Sequence, residues 1–505
     1  MKNRDVMRRN TLYIIHFAVL SRFLIFIKDI ITASRLGVSY KMDSYILALS
    51  TIMLVTKIVG DGIVVALIPL LQEIQGKYGI YKKVEYTNNL INITILISLV
   101  LFVTGFVGAP IIMRIFGPGF GELELEKAIL LFRIGLPIMA LYWLKSIGGG
   151  YLQAEHAFRA GAKGGVTYEL ILIIYLLFFA RDYQLRGLMV ATILAVVSQV
   201  YLIFSTMRDR GYRYEFRIDF KDRYISKVFL FLLPIVLSVG VNQLNSSIDN
   251  AVASTLPVGS IAELNYAYEI VNLFIGLFIV AVVTVIFPIL SESHYKREIE
   301  DLKEGIRHGV KTLLIYTIPV TIILMIMAEP IVKIFFERGA FGWEASFLTS
   351  QALVYYALGL PAMALIPLIT RTYYSIQDMQ TPAILSIVSL IANTLLNLSL
   401  AALIGNKGIA LATSLATSLA VAIGFVDLNR RLKFFRNEGI KRMALRLILS
   451  STAMVIGISI VYSLISISTE NILLYNLVTV GLSSLVGISL YALVYKLVKV
   501  KLQTK

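Results

Sequence analysis

The chain has 505 residues, 57% of them hydrophobic and only 15% charged, with a mean hydropathy of +0.79. Soluble chains run at roughly 45–50% apolar and 25% charged, so a soluble enzyme, a disordered chain and a collagen are all excluded. The absence of cysteine removes disulfides, thiolate metal sites and cysteine nucleophiles, and the net charge of +16 has to be read first as a topology signal.

At about 20 residues per crossing, the apolar content suffices for about fourteen membrane helices. Long runs of Leu, Ile and Val bounded by charge or by Gly, Pro and Asn place them at 11–34, 43–71, 88–113, 127–153, 164–180, 187–206 and 225–250. The series continues at 263–291, 309–336, 347–370, 381–404, 408–427, 443–466 and 472–495. A membrane barrel would instead show short alternating segments. The first run follows Lys2, Arg4, Arg8 and Arg9 but outlasts a cleavable leader and lacks an A-x-A-like site, so it reads as an uncleaved span.

The loops sort by sign. The two tails and every second loop carry about 32 of the 47 Lys and Arg, which assigns that side, with both termini, to the cytoplasm. The richest segments are 207–227 and 428–442. No aromatic-interleaved basic domain accompanies them, so nucleic acid is not an expected partner.

The chain resembles itself at an offset of about 220 residues. Asp29 followed by Ile68-Pro69 matches Asp249 followed by Phe287-Pro288; Pro110-Ile111 matches Pro330-Ile331; Gly135-Leu136-Pro137 matches Gly359-Leu360-Pro361. Six spans separate the copies, an even number, so the repeat is parallel, with an axis along the membrane normal. The expected fold is an all-α polytopic membrane protein of about 14 helices. Its parts are an N-terminal six-helix lobe (1–206), a basic linker (207–224), a C-terminal six-helix lobe (225–427), a basic loop (428–442) and two extra helices (443–505). Such duplication commonly serves alternating access with the cargo between lobes.

An ionisable side chain at mid-span costs roughly 2.5–3.5 kcal/mol on insertion scales, so each needs a partner or a wet cavity. Candidates are Arg22, Lys28 and Asp29 on the first span, Asp43, Lys57 and Asp61 on the second, Arg133 and Lys145 on the fourth and Glu269 on the eighth. Arg22 with Asp29, and Lys57 with Asp61 at i,i+4, share helix faces and read either as neutralising pairs or as parts of a cationic cavity. That cavity would hold an anionic headgroup, for which the arginine fork suits phosphate. Asp249, Asn393, Asn397 and Thr413 are hard oxygen groups that read either as interhelical hydrogen-bonding residues or as ligands for a small cation such as Na⁺. Gly117-Pro118-Gly119 lacks a Walker lysine, the four histidines are scattered, and no ATPase motif is present. Short outer loops without paired carboxylates argue against an enzyme.

Ser21-Arg22, Lys28-Asp29, Gly37 and Asp43, then Asp249 to Glu292, Phe336-Glu337-Arg338-Gly339, Arg371-Thr372-Tyr373-Tyr374, Thr381-Pro382 and Gly408-Ile409-Ala410-Leu411 resemble the MurJ lipid II flippase family of the MOP (MATE-like) superfamily. The resemblance covers most of the first twelve spans. It implies a non-enzymatic flippase of the bacterial cell membrane that moves an undecaprenyl-pyrophosphate-linked peptidoglycan precursor from the inner to the outer leaflet. The partners it implies are the lipid-linked glycan and membrane lipids, with the last two helices forming a tail groove. It places Arg22 and Lys28 on cavity arginines, Asp29, Asp43 and Asp61 on family acids, and Asp249, Asn393 and Thr413 on a sodium site, where Asn397 replaces an acid. Two positions depart: Thr56 and Glu269 stand where the family has arginine. Carriers of other lipid-linked polysaccharides, cation-coupled drug exporters and a non-transporting scaffold of wall synthesis are the alternative readings.

Overall fold

Backbone amides in hydrocarbon can be satisfied only within a helix or a closed barrel, and every regular element among the described residues is a helix. The computed structural model describes residues 2–278, 284–296, 298–434, 437–465 and 472–503. Part of the expected span 263–291, two positions of the basic loop 428–442 and the interval 466–471 lie outside them. The order is α1 (Lys2–Leu36), α2 (Tyr40–Phe116), α3 (Glu122–Gly135), α4 (Pro137–Ala154), α5 (Arg159–Phe178), α6 (Ala180–Asp209), α7 (Arg223–Ala253) and α8 (Ser260–Phe278). There follow α9 (Thr284–Tyr295), α10 (Ile299–Ile326), α11 (Ala328–Phe335), α12 (Trp343–Ser375), α13 (Gln380–Ile404), α14 (Asn406–Leu432), α15 (Asn437–Leu464) and α16 (Ile472–Gln503).

Ten helical stretches among the described residues are long and apolar enough to cross a bilayer. One of them, α2, has 77 residues and would extend about 115 Å if straight, so it holds both spans expected at 43–71 and 88–113. Its two arms meet at Gly79, whose φ of +83° and ψ of 177° break the helix in a backbone region that only glycine enters without strain.

The chain divides into two compact units, Met1–Ala262 and Glu263–Lys505. In the first, α2 packs against α3, α4 and α7, while α1 lies along α5 and α5 along α6. In the second, α14 packs on α12 and α13, and the α15–α16 pair rests on α10 and α11. Its core gathers Leu290, Leu302, Val310, Leu368, Tyr373 and Leu428, all nearly fully buried.

The repeated Gly-Leu-Pro has a packing reason in both copies. A Cβ on Gly135 would lie 2.5 Å from Ile52 of α2, and one on Gly359 would lie 2.5 Å from the Ser414 side chain of α14. Glycine lets each helix pair approach at that point. At the end of the second unit that carries basic residues, Asp378 links the α12–α13 turn to Arg431 of α14 at 2.7 Å. Burial alone would raise its carboxyl, but hydrogen bonds from Thr381, Arg431 and Gln380 outweigh that and hold it at about 2. The contribution of this clamp to stability is therefore complete above the usual carboxylate range and is lost only as pH falls towards 2.

Candidate functional site

Two polar clusters lie inside the first unit. The first begins on α1, where Lys28 Nζ is 2.7 Å from Asp29 Oδ1 and Asp29 is 7% exposed. The helix can approach α5 closely because Gly165 has no side chain: a Cβ there would sit 3.0 Å from Ser21 Oγ. From α5 come Tyr168 and Glu169, and Glu169 is 8% exposed and within electrostatic reach of both Lys28 and Asp29. Tyr45 of α2 lies 3.4 Å from the Thr192 hydroxyl of α6. Asp29 Oδ2 and Glu169 Oε2 are buried without a hydrogen-bond partner among the described residues. Two desolvated carboxylates thus lie close to the one ammonium.

Of the two readings of Arg22, the neutralising pair with Asp29 does not form; the adjacent Lys28 holds the carboxylate. Arg22 continues the helical stripe of Phe26, Asp29 and Ala33, all buried, yet is itself exposed. The stripe opens at Arg22. Beside it, a cavity of about 410 Å³ runs between α1, α4 and α5, lined by Phe17, Ser21, Gly149, Gln153, Gly161 and Gly165.

The second cluster joins α2 to α4. Asp61 Oδ1 accepts a hydrogen bond of 3.1 Å from the Tyr142 hydroxyl, and Lys145 Nζ sits 3.7 Å over the Tyr142 ring. Lys145 is also within electrostatic reach of Asp61 and Lys57. Gly60 makes room for this arrangement, since a Cβ there would be 2.7 Å from the Tyr142 ring. The expected Lys57–Asp61 pair is therefore replaced by a bond across to α4. Lys57 is exposed and makes no ion pair among the described residues. Thr56 is fully buried and its carbonyl accepts from Trp143 Nε1 at 3.0 Å. The position where the family has arginine is thus turned into helix packing, with Lys57 about 100° round the helix.

The remaining sequence candidates have different surroundings. Asp43 is 4% exposed, and its two oxygens accept from the backbone amides of Gly259 at 2.6 Å and Ala262 at 2.9 Å. Both oxygens are spent on bracing the turn that leads into α8. Asp249 lies half-buried on α7 in the first unit, and Glu269 lies half-buried on α8 in the second. Asn393 Nδ2 donates to Thr413 Oγ1 at 3.2 Å, Asn397 Nδ2 donates to Asn393 Oδ1 at 2.9 Å, and Thr413 Oγ1 donates to the Ile409 carbonyl. These three side chains form an interhelical hydrogen-bond chain joining α13 to α14. No group of three His, Cys, Asp or Glu side chains capable of holding a metal occurs among the described residues.

Tyr142, Tyr168 and Glu169 were absent from the sequence candidates. Glu169 carried a readable signal, being a single acid in the apolar run 164–180. The tyrosines carried none, because a tyrosine in a span is ordinary until a neighbouring helix supplies its partner.

Comparison with known proteins agrees with this architecture. The profile of the family described as lipid II flippase MurJ matches residues 32–482. A probable lipid II flippase MurJ of Rickettsia prowazekii (strain Madrid E) is 26% identical over 387 residues, 76% of either chain. That of Rhizobium tropici is 26% identical over 444 residues, covering 86% of this chain and 83% of the relative. A solved structure of lipid II flippase MurJ in an inward closed conformation superposes with a TM-score of 0.81 at 25% identity, over 97% of this chain and 99% of that one. An inward-facing multidrug resistance MATE transporter of the MOP superfamily shares the fold at a TM-score of 0.66 and 16% identity, over 84% of this chain and 98% of that one. The chain is a multi-pass membrane protein and belongs to the MurJ family of lipid II flippases.

Proposed function

We propose that this protein translocates lipid II, the undecaprenyl-pyrophosphate-linked peptidoglycan precursor, from the inner to the outer leaflet of the bacterial cell membrane by alternating access. The observation that carries the reading is the set of cations on α1, α2 and α4 of the first unit, in a chain whose family profile spans 32–482. Arg22 opens from a buried stripe, and Lys57 and Lys145 flank a tyrosine–aspartate pair. A pyrophosphate would draw on the Arg22 fork for two oxygens and on the two ammonium groups as point charges. Lys28 would be shared between the cargo and Asp29.

Both termini and the basic loops face the cytoplasm in this reading, as the loop charges require. The prenyl tail stays in lipid beside α15 and α16. These helices expose Ile448, Ile456, Leu482 and Leu485, which suits contact with an isoprenoid chain. No ion-coupled step is assigned. Voltage alone supplies about 2.3 kcal/mol per unit charge per 100 mV, enough to bias a charged cavity.

A second lipid-linked glycan as cargo is favoured by two observations, the buried Thr56 and the acid Glu269. The test is precursor profiling after depletion. Loss of this protein should accumulate lipid II, and accumulation of another undecaprenyl-linked glycan with normal lipid II would overturn the assignment. Glu269→Arg restores the family's charge at that position. It is expected to raise complementation of a strain depleted of its MurJ-family flippase by several fold; unchanged or lost growth would point to the second cargo.

A further inference from the structure

Residues 212–219, between α6 and α7, carry no helix and run as a strap across α2, held by three asparagines. Asn88 Nδ2 donates to the Arg213 carbonyl at 3.1 Å and Asn92 Nδ2 to the Arg217 carbonyl at 3.0 Å. Asn89 bonds Asp219 twice, donating to its carbonyl at 2.9 Å and accepting from its amide at 2.7 Å. These side chains satisfy backbone groups that have no helical partner, and they fix the path of the strap across α2.

Apolar and charged residues alternate along the strap. The even positions are Tyr214, Phe216, Ile218 and Phe220, exposed by 54%, 77%, 38% and 63%. The odd positions are Arg213, Glu215, Arg217, Asp219 and Lys221, and Arg210 and Arg223 flank the strap. The result is an aromatic ribbon edged with charges of both signs, in which Arg217 is paired with Glu85 while Arg213 and Lys221 are in no ion pair among the described residues; aromatic residues of this kind suit the interfacial zone of a bilayer.

The height of the strap is set by α2. The exposed apolar stripe of its second arm runs from Ile95 through Leu99, Val103, Val107 and Ile111 to Ile115. The twenty steps from Ile95 to Ile115 at 1.5 Å each cover about 30 Å, the thickness of the hydrocarbon core. Asn92 lies three residues before that stripe, about 4.5 Å beyond the core edge. Tyr214, whose hydroxyl donates to Asn92 at 2.6 Å, and Phe216 next to it therefore lie at headgroup depth.

We propose that the 210–223 strap is a membrane-surface anchor: its aromatic ribbon enters the leaflet interface while Arg213 and Lys221 bind anionic phospholipid headgroups. A protein partner is disfavoured because the ribbon is tied through Tyr214 to Asn92, three residues from the start of the exposed apolar stripe of α2. By holding the α2 elbow to the bilayer, the anchor would make the first unit responsive to anionic lipid.

The chain has no cysteine, so single labelling sites are clean. Phe216→Cys and, at the adjacent charged position, Glu215→Cys are labelled with a polarity-sensitive dye and reconstituted full-length. The vesicles are phosphatidylcholine with or without phosphatidylglycerol. The 216 probe should be blue-shifted and quenched by headgroup-labelled lipid about three-fold more than the 215 probe. Phosphatidylglycerol should increase that quenching, and Arg213→Gln with Lys221→Gln should abolish the increase. Equal lipid quenching at 215 and 216, no effect of phosphatidylglycerol, or a 216 probe shielded from both iodide and lipid by self-association would each overturn the proposal.

Discussion

Replacing Lys28 by alanine is expected to abolish growth supported by this protein in a flippase-depleted strain and to lower its melting temperature. The two losses have separate causes. Asp29 is buried and its salt bridge to Lys28 is 2.7 Å long. Breaking a buried pair costs about 3–5 kcal/mol, with the low end applying because the Lys28 side chain keeps 23% exposure. Lys28→Ala combined with Asp29→Asn removes the uncompensated charge, so stability should recover while transport stays lost. Lys28→Arg keeps the charge and adds a second donor arm, and should transport at least as well as the parent. If the double variant supports full growth, Lys28 serves only to neutralise Asp29 and the cationic site is misplaced.

Asp43→Ala is expected to give the largest purely structural loss. Two buried backbone donors, those of Gly259 and Ala262, would be left without an acceptor. Each orphaned donor costs about 1–3 kcal/mol, so the melting temperature in detergent should fall by many degrees. Asp43→Asn retains one acceptor oxygen and should lose less. Variant protein that remains fully stable but fails to transport would make Asp43 a cargo ligand and not a brace. A second acid stands 14 residues after Asp249, as Asp43 does after Asp29. This is Glu263, buried and bonded by Asn406 Nδ2 at 2.7 Å. Each half of the duplicated chain thus carries at this point a buried acid held by a hydrogen bond from a residue distant in sequence.

The helices were legible because apolar runs of span length have one backbone solution in lipid, and the Gly135 and Gly359 repeats were legible because both stand at close helix contacts. The ion pairs were not. Helical spacing let Arg22 with Asp29 and Lys57 with Asp61 read either as neutralising pairs or as parts of a cavity, and both carboxylates have other partners. Lys28 reached Asp29 from the adjacent position, against the expected helical face. Asp61 was taken by Tyr142 on a helix about 80 residues away in sequence, a partner no local pattern announces. The strap shows the same limit. Its charges marked 207–224 as a linker, but its fixed path depends on Asn88, Asn89 and Asn92, which read in sequence only as the polar edge of a span.

The most direct measurement follows lipid II itself in vesicles containing purified protein, with translocation scored by access of an external lipid II-binding probe. The wild-type chain is predicted to expose lipid II faster than empty vesicles, and the Lys28→Ala/Asp29→Asn chain, folded to the same melting temperature, to match the empty ones. Equal exposure with both proteins would contradict a cationic carrier site in the first unit. Exposure of a different prenyl-linked glycan without lipid II would contradict the cargo.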